Sequence, residues 1–317
     1  MKKIVSLTLS IIMLFAALAL VGCGNAEPKD ETVIRMAALK GPTGMGIAPL
    51  MNKETYPNYD ITIGSDPSAV TASFIAGEYD VAAVPVNVAS VLYNKLEGDV
   101  VMLGITTLGV LYIMEDGNEV NSMADLAGKT LYATGQGSTP EYILNYLLEK
   151  NGLTDVTVEY KAEHSELASL MATGEVALGM MPEPNITATL KKNPDLRVAV
   201  DLTEEWNKVS DTQLVQGVLI ARREFVTAHD SLIKTLIADY TAASELINTA
   251  SDEAAQMIVD AEILPALPVA KAAIPRCNIV FITGENMKKT ASAMYEVLFS
   301  ADPKSVGGKV PGEDMYY

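Results

Sequence analysis

Short apolar runs alternate along this chain with segments whose apolar residues recur at helical spacing. Val33–Leu39 reads as a strand, Lys40–Gly44 as a loop, and Met45–Met51 as the start of a helix. Tyr59–Gly64 alternates in the manner of a strand, and Pro67–Ala76 carries Ala69, Ala72 and Ile75 on one helical face. Asp80–Val84, Asn87–Lys95 and Val100–Thr106 continue as strand, helix and strand. The order then restarts. Strand Thr130–Ala133 leads through a Gly-rich loop to helix Glu141–Lys150, whose Ile143, Leu144, Leu147 and Leu148 face inward. Thr139 as N-cap with Pro140 in the first turn starts that helix, and Asn151-Gly152 stops it. Strand Val156–Tyr160, helix Ser165–Ala172, strand Val176–Met181, helix Asn185–Lys192 and strand Leu196–Val200 follow. Beyond Asp201 the order changes: Leu214–Ala221 is strand-like, and Phe225–Ala250, Ser251–Leu264 and Met287–Leu298 are helical.

The second half repeats the first in one phrase as well as in order. Gly77-Glu78-Tyr79-Asp80-Val81-Ala82-Ala83-Val84-Pro85 is answered by Gly174-Glu175-Val176-Ala177-Leu178-Gly179-Met180-Met181-Pro182. Asn87 follows the first phrase and Asn185 the second. A repeated helix–strand–loop–helix unit predicts an α/β fold of two doubly wound lobes. The chain crosses between them near Thr106–Met114 and again near Gln213–Ile220, a two-strand hinge. The expected division is residues 33–107 with 220–317 in one lobe and 108–219 in the other. Ligands bind such sheets beyond the carboxyl ends of their strands, so two lobes facing each other enclose a cleft.

The N-terminus carries an address. Lys2 and Lys3 precede the apolar run Ile4–Leu20, and Leu20-Val21-Gly22-Cys23 follows. Charge, apolar run and small residues make residues 1–22 a signal peptide, short for a span of about 20 residues. Cys23 after a small residue resembles a bacterial lipobox, which implies lipidation of its thiol. Residues 23–32 then read as a lipidated tether. This predicts an extracytoplasmic protein anchored to the cell membrane. Cys277 is then left without a disulfide partner, in an apolar context that suits a buried, inert thiol. The formal charge of −17 disfavours nucleic acid as a partner.

Equivalent loops of the halves are the candidate ligand contacts. Lys40, Pro42, Thr43, Gly44 and Met45 pair with Gly135, Gln136, Gly137, Ser138 and Thr139. Their backbone N–H groups and helix dipoles suit an anion such as a carboxylate, sulfonate or phosphate, with Ser138 and Thr139 as hydroxyl donors. The plainer reading is that Gly-Ser-Thr-Pro only caps a helix. Pro85, Val86 and Asn87 pair with Glu183 and Asn185. Glu183, between two prolines, suits a ligand amine or ring N–H, or else only the helix dipole. Ser65, Asp66, Thr106 and Gln216 complete the set at other strand ends. Neither Gly loop ends in Gly-Lys-Ser/Thr, no Cys/His metal spacing occurs, and no Gly-x-Ser-x-Gly elbow is present. Of the two histidines, His164 lies near the expected cleft and His229 at a helix start. The expectation is a protein that is not an enzyme and holds no cofactor or metal.

The lipobox, the interleaved lobes, the Gly-Glu-x-Asp-Val-Ala strand and the Gly135-Gln136-Gly137-Ser138-Thr139 loop resemble the substrate-binding lipoproteins of ABC importers. The nearest type is the nitrate/sulfonate/taurine and thiamine-precursor group, with a type II periplasmic-binding-protein-like fold. The resemblance covers the mature chain, including Lys40-Gly41-Pro42-Thr43-Gly44 and the tail Gly307-Gly308-Lys309-Val310-Pro311. It implies a monomer that captures an anionic or zwitterionic small-molecule solute and delivers it to a permease. The site loops lack a clear Arg or Trp, which leaves the solute open. Two alternatives on the same fold are an enzyme that makes the thiamine pyrimidine precursor and a ligand-sensing protein.

Overall fold

The strand–helix alternation resolves into two sheets. The computed structural model describes residues 30–317, so the segment expected as a signal peptide, Cys23 and most of the expected tether lie outside the described residues. The first half gives β1 (Ile34–Leu39), α1 (Pro42–Ile47), β2 (Tyr59–Gly64), α2 (Pro67–Ile75), β3 (Val81–Pro85), α3 (Val86–Lys95) and β4 (Val100–Thr107). After a short connection come β5 (Leu111–Asp116), β6 (Thr130–Thr134), α4 (Thr139–Lys150), β7 (Thr157–Lys161) and α5 (His164–Ala172). They are followed by β8 (Leu178–Pro182), α6 (Asn185–Lys192), β9 (Leu196–Asp201) and α7 (Leu202–Val209). The chain closes with β10 (Gly217–Arg222), α8 (Arg223–Ala228), α9 (Asp230–Asn248), α10 (Asp252–Asp260), α11 (Leu267–Ala273), β11 (Ile279–Ile282) and α12 (Gly284–Ala301).

The sheets are built alike. One has the order β11-β4-β10-β3-β1-β2, the other β7-β6-β8-β5-β9. In each, two parallel strands flank a third, and one antiparallel strand is where the chain enters from the other sheet. β10 runs antiparallel between β3 and β4, and β5 antiparallel between β8 and β9. The two chain crossings are thereby locked into both sheets. Both faces of the first sheet are buried, and neighbouring residues alternate between them. Val81 and Ala83 pack with Ile34, Met36 and Tyr240 on one side, while Ala82 and Val84 pack with Phe74, Leu92 and Tyr295 on the other. Apolar cover on both faces explains the near-continuous hydrophobic runs of these strands.

The repeated phrase has a local cause. Gly77 and Gly174 both take positive φ, 79° and 76°, at the ends of α2 and α5. Each donates its N–H three residues back, to Phe74 and Met171. The following Glu78 and Glu175 N–H groups reach five back, to Ser73 and Leu170. This helix stop favours glycine in both copies. Four elements were not read as such from the sequence: β5, α7, α11 and β11. The segment expected as one helix over Phe225–Ala250 is broken at His229, whose ring packs on Phe225 at 4.7 Å.

Candidate functional site

The loops beyond the strand ends of the two sheets face each other across a cavity of about 790 Å³. From the first sheet come the loops after β1, β2 and β3, with Thr107, Gln216 and Gly217 where the chain crosses. From the second come the equivalent loops after β6, β7 and β8. The symmetry extends to backbone bonds. Val86 N–H donates to Gln216 O just before β10, and Glu183 N–H donates to Val110 O just before β5.

Most residues singled out from the sequence line this cavity: Lys40, Pro42, Thr43, Ser65, Asp66, Pro85, Asn87, Gly135–Ser138, Glu183, Asn185 and Gln216. Five stand behind its wall. Gly44 and Met45 are buried within α1, and the Cys277 thiol contacts the Met45 sulfur at 3.7 Å. Val86 is fully buried in the core, and Thr106 is buried beside Tyr240. Thr139 is fully buried, and it is not the N-cap of α4: Ser138 is. The Thr139 hydroxyl instead donates to Asn87 Oδ1 at 2.9 Å, a bond between α4 of one half and α3 of the other. A side chain one residue into the helix points away from the free N–H groups and toward the facing element. Asn87, 2% exposed, sits within the first turn of α3.

The Gly135–Thr139 loop spends much of its donor capacity on itself. The Ser138 hydroxyl donates to Gly135 O at 2.8 Å, and Gly137 N–H donates to a Glu141 carboxylate oxygen at 2.6 Å. An acid of the chain therefore occupies the place where the sequence suggested an external anion.

Glu183 is fully buried. Its carboxylate accepts from Thr187 N–H (3.1 Å), the Thr187 hydroxyl (3.0 Å) and Arg276 Nε (2.8 Å). Burial pushes its pKa up, opposed by the Thr187 bonds and the Arg276 charge. The Arg276 guanidinium also lies 4.9 Å from the Tyr112 ring centroid, where its charge meets the π-face. Beside it Asn278 bonds both ways to the crossing segment: its carbonyl accepts from Leu108 N–H, and its amide donates to Gly109 O. The short turn before β11 thus clasps the second sheet.

Sequence reasoning missed Arg276, and also Thr107, Tyr160, Lys161 and Glu163 on the cavity wall. The tandem loop pairing was the available signal for Tyr160–Glu163, which lie at and after the end of β7 as Ser65 and Asp66 lie after β2. His164 lines the same wall with Nδ1 2.7 Å from the Thr134 hydroxyl. Burial lowers its pKa to about 4, so the ring is neutral at physiological pH. Among the described residues no group of His, Cys, Asp and Glu is arranged to hold a metal ion, and no helix is long and apolar enough to cross a membrane.

The cavity between paired sheets is a shared design. The structure is similar to an ABC transporter structure from Parabacteroides distasonis, at 21% identity and a TM-score of 0.76, covering 90% of this chain and 99% of that one. It is similar to the alkanesulfonate-binding protein of Xanthomonas axonopodis pv. citri bound to MOPS, at 15% identity and a TM-score of 0.70, covering 90% and 98%. The nitrate-binding protein of Synechocystis PCC 6803 matches at 12% identity and a TM-score of 0.56, covering 72% and 66%. Identities this low establish the periplasmic-binding-protein-like α/β fold and nothing finer. None of the curated proteins compared with the chain matches it. A family model described as menaquinone biosynthesis matches residues 45–273, which hold the second sheet, all of the first but β1 and β11, and most of the cavity wall. That match overturns the expectation that the chain is not an enzyme, because it groups the chain with proteins of a biosynthetic pathway. With most of its length covered by that model, the chain belongs to the menaquinone biosynthesis family.

Proposed function

We propose that this is an extracytoplasmic solute-binding lipoprotein, lipidated at Cys23, that captures a small organic solute between two lobes and delivers it to the permease of an ABC importer. The lobes are residues 33–107 with 220–317, and 108–219. The observation that carries the reading is the 790 Å³ cavity between symmetric sets of strand-end loops, bridged by Thr139–Asn87 and Glu183–Arg276. Cavities of this size at strand ends suit small ligands. Relatives in fold whose names state sulfonate and nitrate binding support the transport role.

A second reading is favoured by the family match and by His164. A neutral imidazole on the wall of a ligand-sized cleft can accept a proton, so a bound solute could also be converted there. One experiment addresses both. Ligand released from the purified protein is identified by mass spectrometry, alongside thermal-shift screening of organic acids, sulfonates, pyrimidines and menaquinone precursors. A retained solute that raises the melting temperature and is recovered unchanged supports capture. Time-dependent conversion, lost in His164→Ala, supports the enzyme. No solute retained and no compound stabilising the protein refutes both.

A further inference from the structure

We propose that the floor of the cleft is a neutral subsite, in which Thr107 and Gln216, with Tyr160 opposite, bind an uncharged hydrogen-bonding group of the solute: a carbonyl, an amide or a hydroxyl. This rests on the cleft-binding reading above and specifies which chemistry enters first.

Thr107 is 2% exposed and Gln216 8% exposed. Thr107 Oγ1 and Gln216 Nε2 are buried without a hydrogen-bond partner among the described residues, and both residues line the cavity. They stand side by side where the chain crosses between sheets, since Gln216 N–H donates to Thr107 O at 2.9 Å. Tyr160 lines the cavity from β7 of the other sheet, and its hydroxyl is also buried without a partner. Buried polar side-chain atoms are rarely left unpaired, because each forfeits its bonds to water. The three residues that carry these atoms line one cavity from two different sheets.

A Cβ at Gly217 would sit 3.2 Å from Thr107 Oγ1 and 2.8 Å from the Thr43 methyl, so even alanine would crowd this corner.

The charges on the wall argue for a neutral occupant. Glu183 borders the cavity, and its carboxylate already holds Arg276 and Thr187. A second anion beside it would be repelled and would find that cation engaged. Lys40 and Lys95 on the wall are exposed, and Lys161 lies over the Tyr132 ring at 5.3 Å. Thr107, Gln216 and Tyr160 carry only hydroxyl and amide groups, which donate to a carbonyl and, through hydroxyl oxygens, accept from an N–H. A charged end of the solute is thus left to the lysine-bearing mouth.

The test uses a matched pair of fragments, nicotinamide and nicotinate, which share a ring and differ in charge. Binding to the full-length protein, stripped of solute by unfolding and refolding, is read by saturation-transfer NMR. Nicotinamide should bind at least tenfold more tightly than nicotinate. Thr107→Val and Gln216→Leu should each weaken nicotinamide by roughly two- to tenfold, while the exposed control Lys192→Ala leaves it unchanged. Ligand-free Thr107→Val should also melt about 2–4 °C higher, since it removes a buried hydroxyl that has no partner. Equal or tighter binding of nicotinate, or nicotinamide binding untouched by both variants, overturns the subsite. If neither fragment binds, the subsite is overturned. A protein that holds a solute while the variants are silent refutes the subsite alone. One that holds no solute and is stabilised by no screened compound refutes solute capture and the subsite with it.

Discussion

Replacing Arg276 by alanine should loosen the clasp between the C-terminal turn and the second sheet, and the loss should depend on pH. Removing one member of a fully buried pair costs about 3–5 kcal/mol. Here only Glu183 is fully buried; the Arg276 side chain is 35% exposed, and two Thr187 bonds to the carboxylate remain. The expected loss is therefore about 2 kcal/mol, the range of one charge-assisted hydrogen bond. For a chain of this size that corresponds to roughly 3 °C in melting temperature. Burial already holds the Glu183 pKa above its ordinary value of 4.5, and loss of Arg276 raises it further. An acid whose folded pKa lies above the unfolded one costs stability only when ionised. The cost is absent below the unfolded value and grows as pH rises through the folded one. The deficit of Arg276→Ala should thus be largest near pH 8 and shrink toward pH 5. Urea denaturation followed by Trp206 fluorescence reads this directly, since Trp206 is the only tryptophan and is buried against Tyr146 beside the second sheet. In the double variant with Glu183→Gln no buried charge is left alone, so the losses should fall short of additive by about 1–3 kcal/mol at pH 8. Equal deficits at both pH values, or strict additivity, would refute the clasp.

Thr139→Val leaves Asn87 buried without its cross-cleft donor and should cost about 1–3 kcal/mol of stability, read by the same denaturation; an unchanged unfolding free energy contradicts the bridge. The His164 ring should titrate near pH 4, measured by NMR with His164→Gln to assign the signal. Its folded pKa is depressed, so the stability it contributes is present above about pH 6.5 and is lost as pH falls toward 4. A titration at the ordinary histidine value would sink that account. Cys277 is fully buried with its thiol pKa pushed well up, so in a Cys23→Ser background it should react with a thiol reagent only at the rate of unfolding. Fast labelling of the native protein would show the site open.

The periodic parts of this fold were legible because their signals are local. Tyr59–Gly64 and Asn185–Lys192 have the same bounds in sequence and structure, and Gly77 and Gly174 marked equivalent helix stops. What escaped depends on distant partners. β11 is four residues long and gains its place only by pairing with β4. Arg276 meets Glu183 through the turn before β11, which no spacing in the sequence reveals. Thr139 looked like a cap because hydroxyl followed by proline is a capping pattern, but Ser138 precedes it and takes that position. The unpaired state of Thr107 and Gln216 is a property of packing, so composition and motif could not disclose it.

Native mass spectrometry of the protein purified without unfolding tests the central claim most directly. The account predicts a fraction carrying one small organic molecule per chain, released on denaturation. A wild-type protein of bare polypeptide mass that no screened solute stabilises would contradict it.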